Sequence, residues 1–100
     1  MPNPILDYGY AHRHLADSGL VLTGTGILHT ITINHPDTTA AATVIVYDGV
    51  DNTGTVIAII TMDDALFVVP ATLTYDVAVT VGIYAAFNFA VTADITVSFN

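Results

Sequence analysis

The sequence predicts an all-β protein: an antiparallel β-sandwich of jelly-roll type, with seven or eight short strands and an extended N-terminal arm. Three observations predict it. From Ser18 onward the chain runs in short blocks of Val, Ile, Thr, Tyr and Phe, the residues that suit a pleated, half-buried surface. Gly, Asn, Asp and Pro separate these blocks, as turn residues separate strands. No stretch carries the apolar spacing of an amphipathic helix long enough to build a layer, and the strand count suits a sandwich or jelly roll.

The elements follow in order. Residues 1–17 read as an arm, with prolines at 2 and 4, two tyrosines, the single arginine and a histidine pair; residues 18–100 read as the sandwich. "AHRHLADSG", across the end of the arm, reads as a short helical turn too brief to build a layer. "GILHTITIN" alternates, which places Ile27, His29, Ile31 and Ile33 on one face and Leu28, Thr30, Thr32 and Asn34 on the other. "HPD" at 35–37 breaks that strand, since proline cannot donate to a ladder. "AATVIVYD" (41–48) and "TVIAIIT" (55–61) read as two strands joined by an acidic hairpin loop. "LFVVP" (66–70) is a short apolar run, and "TLTYDVAV" then sets Leu73, Tyr75 and Val77 against Thr72, Thr74 and Asp76. A strand at about 82–87 and the closing "DITVSFN", with Ile95, Val97 and Phe99 inward, complete the set.

Composition bounds the function. One hundred residues make one domain. Nine Asp, no Glu, no Lys and one Arg, Arg13, give a formal charge of -8, which argues against nucleic acid and against an anionic membrane surface as partners. There is no cysteine, so disulfides, thiolate metal sites and cysteine nucleophiles are excluded together. The opening "MPNPILDYGY" lacks the basic and apolar regions of a secretory signal. Hydrophobic residues make up 53% of the chain and charged ones only 10%, against roughly 25% charged in an ordinary domain. A domain this small leaves much of its surface exposed, so some of that apolar surface is expected outside, where it favours self-association or docking on an assembly.

Several constellations invite a chemical reading. Asp48, Asp51 and Asn52 lie close together in "VYDGVDNTGTVIAII" and resemble a calcium loop, but the helix-loop-helix motif needs a Glu at its twelfth position and the chain has none. The same residues are ordinary hairpin chemistry. His12 and His14, at i and i+2 of an extended segment, share a face and form a candidate metal pair or a ring about an oligomer axis. Asp63 and Asp64 are adjacent and read as a turn, not as a paired acid and base. Ser18 and Ser98 are the only serines, and neither has a nucleophile-elbow context. "GTG" at 24–26 reads as a turn between strands, with no helix after it to make a phosphate loop. The threonines fall mostly on outward positions, Tyr47 and Tyr75 read as core or corner residues, and there is no Trp for a sugar platform. No residue is assigned to catalysis, to a metal or to a cofactor.

In order along the chain, "GILHTITIN", "TVIVYDGVDNTGTVIA", "TLTYDVAVTVGIYAAF" and "ADITVSF" resemble a pattern in small β-sandwich structural proteins of tailed bacteriophages, among them head decoration (cement) proteins. The matching blocks span residues 26–99. The resemblance implies a non-enzymatic virion protein on the outer surface of the capsid. Its partners would be the major capsid protein and itself, as a homotrimer ahead of a homodimer. Such proteins often grip the shell with a terminal arm, which marks Pro2, Pro4, Ile5, Leu6, Tyr8 and Tyr10 as candidate capsid or oligomer contacts. The alternative is a tail- or fibre-associated sandwich that recognises a host glycan or receptor.

Overall fold

The structure, a computed structural model, describes residues 10–35, 42–62, 71–87 and 94–100. Eight strands account for most of them: β1 (Ala11–Leu15), β2 (Gly19–Thr23), β3 (Gly26–His35), β4 (Ala42–Asp48), β5 (Thr55–Met62), β6 (Ala71–Val79), β7 (Gly82–Phe87) and β8 (Asp94–Phe99). They form two four-stranded sheets, ordered β1-β8-β3-β6 and β2-β7-β4-β5. Every neighbouring pair is antiparallel.

The sheets pack face to face as a β-sandwich because alternate residues of both feed one apolar core. Leu28, Ile31, Ile33, Ile95 and Val97 of the first sheet and Val44, Val46 and Ile83 of the second are fully buried. Each such side chain contributes about 1.5–3 kcal/mol on leaving water, and without a disulfide this burial holds the sheets together.

β4, β5, β7 and β8 lie where the sequence places them, and Ile95 and Val97 point inward as predicted, with Phe99 packed on the core. The first two strands do not follow the prediction. Ala11–Leu15 is an edge strand paired with β8, so the sandwich begins inside the segment read as an arm, and "AHRHL" is extended and not a helical turn. Gly19–Thr23 is a further strand, which "GLVLT" is too short to announce. The connections at 36–41, 63–70 and 88–93, which include Pro36, Asp63, Asp64 and the "LFVVP" run, lie outside the described residues.

The face assignment in β3 is also corrected. The register shifts between Leu28 and Thr30 against both neighbours: β8 offers no residue opposite His29, whereas β6 offers two, Tyr75 and Asp76. Such a bulge breaks period-2 alternation. Leu28 and Ile31, three residues apart, therefore both face the core, while Ile27 turns out to 41% exposure. Asp76 takes up the irregularity in β6 with a left-handed φ of 51°, a conformation Asp tolerates better than a β-branched residue does. Leu73 and Tyr75 pack against the core as predicted, but Val77, beyond the bulge on this edge strand, is exposed.

This phase shift is directly measurable. Ile31→Ala is expected to cost about 2–5 kcal/mol by urea unfolding and Ile27→Ala about 1 kcal/mol or less. Equal losses at the two positions would restore the uninterrupted alternation.

Candidate functional site

Three turns meet at one end of the sandwich: 24–25 between β2 and β3, 49–54 between β4 and β5, and 80–81 between β6 and β7. Backbone hydrogen bonds join them, from Gly24 N–H to the Val81 carbonyl (2.8 Å) and from Gly49 N–H to the Gly82 carbonyl (3.1 Å). Asp48, the last residue of β4, completes the junction. Its carboxylate accepts the N–H groups of Val81 (2.9 Å), Thr80 (3.1 Å) and Gly82 (3.3 Å) and the Thr80 hydroxyl (3.3 Å). The Val81 N–H, followed by that of Thr80, favours the charged form and holds this carboxyl below the ordinary value of 3.8. Close backbone approach requires glycine here: a Cβ on Gly82 would collide with the Leu22 carbonyl oxygen and lie 2.9 Å from that of Gly49.

Asp51 is held in the same way within the hairpin loop. It accepts the Thr53 hydroxyl and, at 2.9 Å, the Thr53 N–H, and the hydroxyl contact leads in lowering its pKa. Both carboxylates of the calcium-like stretch are thus engaged by the protein's own donors. Among the described residues no three His or Asp side chains gather to hold a metal ion. Sequence reasoning missed the role of Asp48, whose partners lie more than thirty positions away.

The outer face of the first sheet is a grid of hydroxyls and imidazoles. Register sets His12, Ser98, Thr30 and Thr74 in one row across the strands, and His14, Thr96, Thr32 and Thr72 in the next. His12 and His14 do share a face, as predicted, but His14 Nε2 meets Asp94 Oδ1 at 2.6 Å. Asn34 donates to Asp94 and to Thr96, both at 2.9 Å, and the Thr32 and Thr72 hydroxyls pair at 3.1 Å. These contacts knit β1, β8, β3 and β6 side by side.

The second sheet presents a different surface. One row runs Leu20, Tyr84, Tyr47, Val56, and the next runs Ala86, Ile45, Ile59. Val56 is 48% and Ile59 64% exposed. Tyr47, expected in the core, lies half-buried on this outer face with its ring 6.4 Å from that of Tyr84 and tilted by 44°. The signal was present in the sequence. "TVIVY" and "TVIAII" are continuous apolar runs, whereas "TITIN" and "DITVSF" alternate.

Of the predicted arm contacts, Pro2, Pro4, Ile5, Leu6 and Tyr8 lie outside the described residues. Tyr10 is exposed, and its ring stacks on His29 with centroids 3.9 Å apart and planes within 9°. His29 Nδ1 in turn pairs with Asp76 at the β6 bulge. Ser18 is tied to the fold by accepting the Phe87 N–H at 2.7 Å, and Ser98 stands in the hydroxyl grid.

The depressed Asp48 and Asp51 carboxyls make stability depend on acid. A carboxyl with a folded pKa below its unfolded value adds stability that is complete above the ordinary 3.8 and lost as pH falls through the depressed value. Asp48→Asn is therefore expected to lower the melting temperature at neutral pH, with the gap from wild type narrowing in acid below that value. A gap that stays constant with pH would exclude the carboxylate brace.

No protein-family model, curated protein or solved structure matches this chain.

Proposed function

We propose that this chain is a bacteriophage capsid decoration (cement) protein that binds the outer capsid surface and stabilises the shell by bridging major capsid subunits. The observation that carries this reading is the character of the two sheet faces. One is a hydroxyl grid and the other an apolar face, and neither outer surface is built of the lysines and glutamates that ordinarily keep a small domain apart from its neighbours. Such surfaces suit burial against protein. The strand orders 1-8-3-6 and 2-7-4-5 support the jelly-roll form of the sandwich, because successive strands repeatedly cross between the sheets.

On this reading the protein acts by cohesion and not by catalysis. Copies associate with one another, and the segment before Tyr10 grips the shell. Tyr10, stacked on His29, fixes where that segment leaves the body. Ordering it costs roughly 1–2 kcal/mol per residue in backbone entropy, which the apolar side chains of Pro2, Pro4, Ile5, Leu6 and Tyr8 would offset on a capsid surface.

A second reading, a tail- or fibre-associated module for a host glycan, draws on the Tyr47 and Tyr84 pair. Their 44° tilt makes a poorer sugar platform than coplanar rings would. Two measurements separate the readings. Removing residues 1–9 is expected to abolish binding to capsids while the circular dichroism and melting of the sandwich stay as in the full chain; undiminished capsid binding would remove the arm from the proposal. Particle imaging with and without the protein should place its density at capsomer junctions, and density at the tail together with sugar-dependent binding would favour the second reading.

A further inference from the structure

The outer face of the β2-β7-β4-β5 sheet is the part of the described surface most in need of a partner. Two of its rows place Leu20, Tyr47, Val56, Tyr84, Ile45 and Ile59 outward on four neighbouring strands, and a further pair, Thr43 and Thr61, borders them. An apolar face rimmed by polar loops is the form that association sites take. β5 adds to the demand: it is an eight-residue edge strand with no charge and no proline. The other edges are managed. β1 carries two histidines and Arg13, β6 carries Asp76 in a bulge, and β2 is five residues long with its own register shift.

The placement of charge indicates what covers this face. Asp76 and Asp94 lie on strands of the first sheet, as do Arg13, His12, His14 and His29. Asp17 lies in the β1–β2 bend, and Asp48 and Asp51 at the braced end with their carboxylates turned to backbone and hydroxyl donors. None of these described charges stands in the two apolar rows. A chain of charge -8 repels its own copy through most of its surface. Docked through the second sheet, two copies hold their first sheets three sheet spacings apart, about 30 Å, against a screening length of about 8 Å at physiological salt. A basic partner would be drawn to the aspartates instead. Among the described residues, the face that carries none of these charges is also the most apolar one.

We propose that the outer face of the β2-β7-β4-β5 sheet is a self-complementary interface that pairs two copies of this chain back to back, with the Tyr47 and Tyr84 row near its centre. A face that meets its own copy closes with two-fold symmetry, so the unit is a dimer and not the trimer that the resemblance implies. The inference rests on the self-association in the proposed function and adds to it the surface and the symmetry. The pair would carry a hydroxyl grid on each of its two outer sides.

Sedimentation of the purified full chain across micromolar concentrations tests this without any capsid. A monomer–dimer equilibrium is expected. Ile59→Asp and Ile59→Lys, at a side chain exposed enough to leave the fold intact by circular dichroism, should each weaken the dimer roughly 30-fold or more. The lysine variant reduces net charge, so its failure to dimerise assigns the effect to lost apolar burial and not to repulsion. Thr74→Asp, on the opposite sheet, should dimerise as wild type does. A wild-type chain that stays monomeric throughout, or a dimer that survives both Ile59 changes and fails with Thr74→Asp, overturns the proposal. Capsid binding is scored separately: a wild-type chain that stays monomeric yet binds particles rejects this interface alone, and a wild-type dimer that fails with the Ile59 changes but binds no particle rejects the capsid reading alone.

Discussion

The carboxylate of Asp48 holds together the end of the sandwich on which the other turns depend. It accepts three successive N–H groups from residues 80–82, the crossover that carries the chain from the first sheet to the second. Gly24 at the opposite crossover, β2 to β3, donates to Val81 in the same turn. One acidic side chain thus fixes the point where both sheets, the β4–β5 hairpin and two crossovers converge. Its partners are backbone donors of one turn, which a single carboxylate takes together. The glycines at 49, 54 and 82 permit that approach because backbone atoms occupy the space a Cβ would need.

From this end the strands fan into two sheets whose outer faces differ in kind. The first is laced by hydroxyl, amide and imidazole hydrogen bonds between neighbouring strands, which satisfy polar groups locally and leave the face wet. The second sets Ile45, Val56 and Ile59 on its outside beside Tyr47 and Tyr84. Continuous apolar runs are the pattern of strands covered on both faces, whereas an antiparallel sheet with one wet face alternates. The core covers one face of this second sheet, and on the reading proposed above a second copy covers the other.

Much of the fold was legible in the sequence, and the places where it was not share a cause. "DITVSF" and "TLTYD" alternate without interruption, so Ile95, Val97, Leu73 and Tyr75 face the core as their period requires. In "GILHTITIN" the same rule misplaces Ile27 and Leu28, because a bulge at His29 is set by the strands on either side and leaves no mark in local alternation. β1 was hidden because its residues, histidine and arginine among them, have little strand character of their own. Pairing with β8 makes it a strand. The candidate surfaces divide likewise: the continuous apolar runs of β4 and β5 announce a sheet that is apolar on both sides, but not which residues of β2 and β7 complete its outer rows.

By itself, the sequence determined the fold class, the shortage of charge and the turn chemistry of the opening hairpin, since composition, period-2 patterning and the φ preferences of Asp, Asn and Gly are local properties. Only the tertiary structure decided what that hairpin's acids do. The distance from Asp48 to its donors is more than thirty residues along the chain and one hydrogen bond across the fold. The same holds for the separation of a hydroxyl face from an apolar one, which arises when strands distant in sequence are sorted into two sheets. Strand order is set by which arrangement buries the most apolar surface while pairing every backbone group, and that is a property of the whole chain.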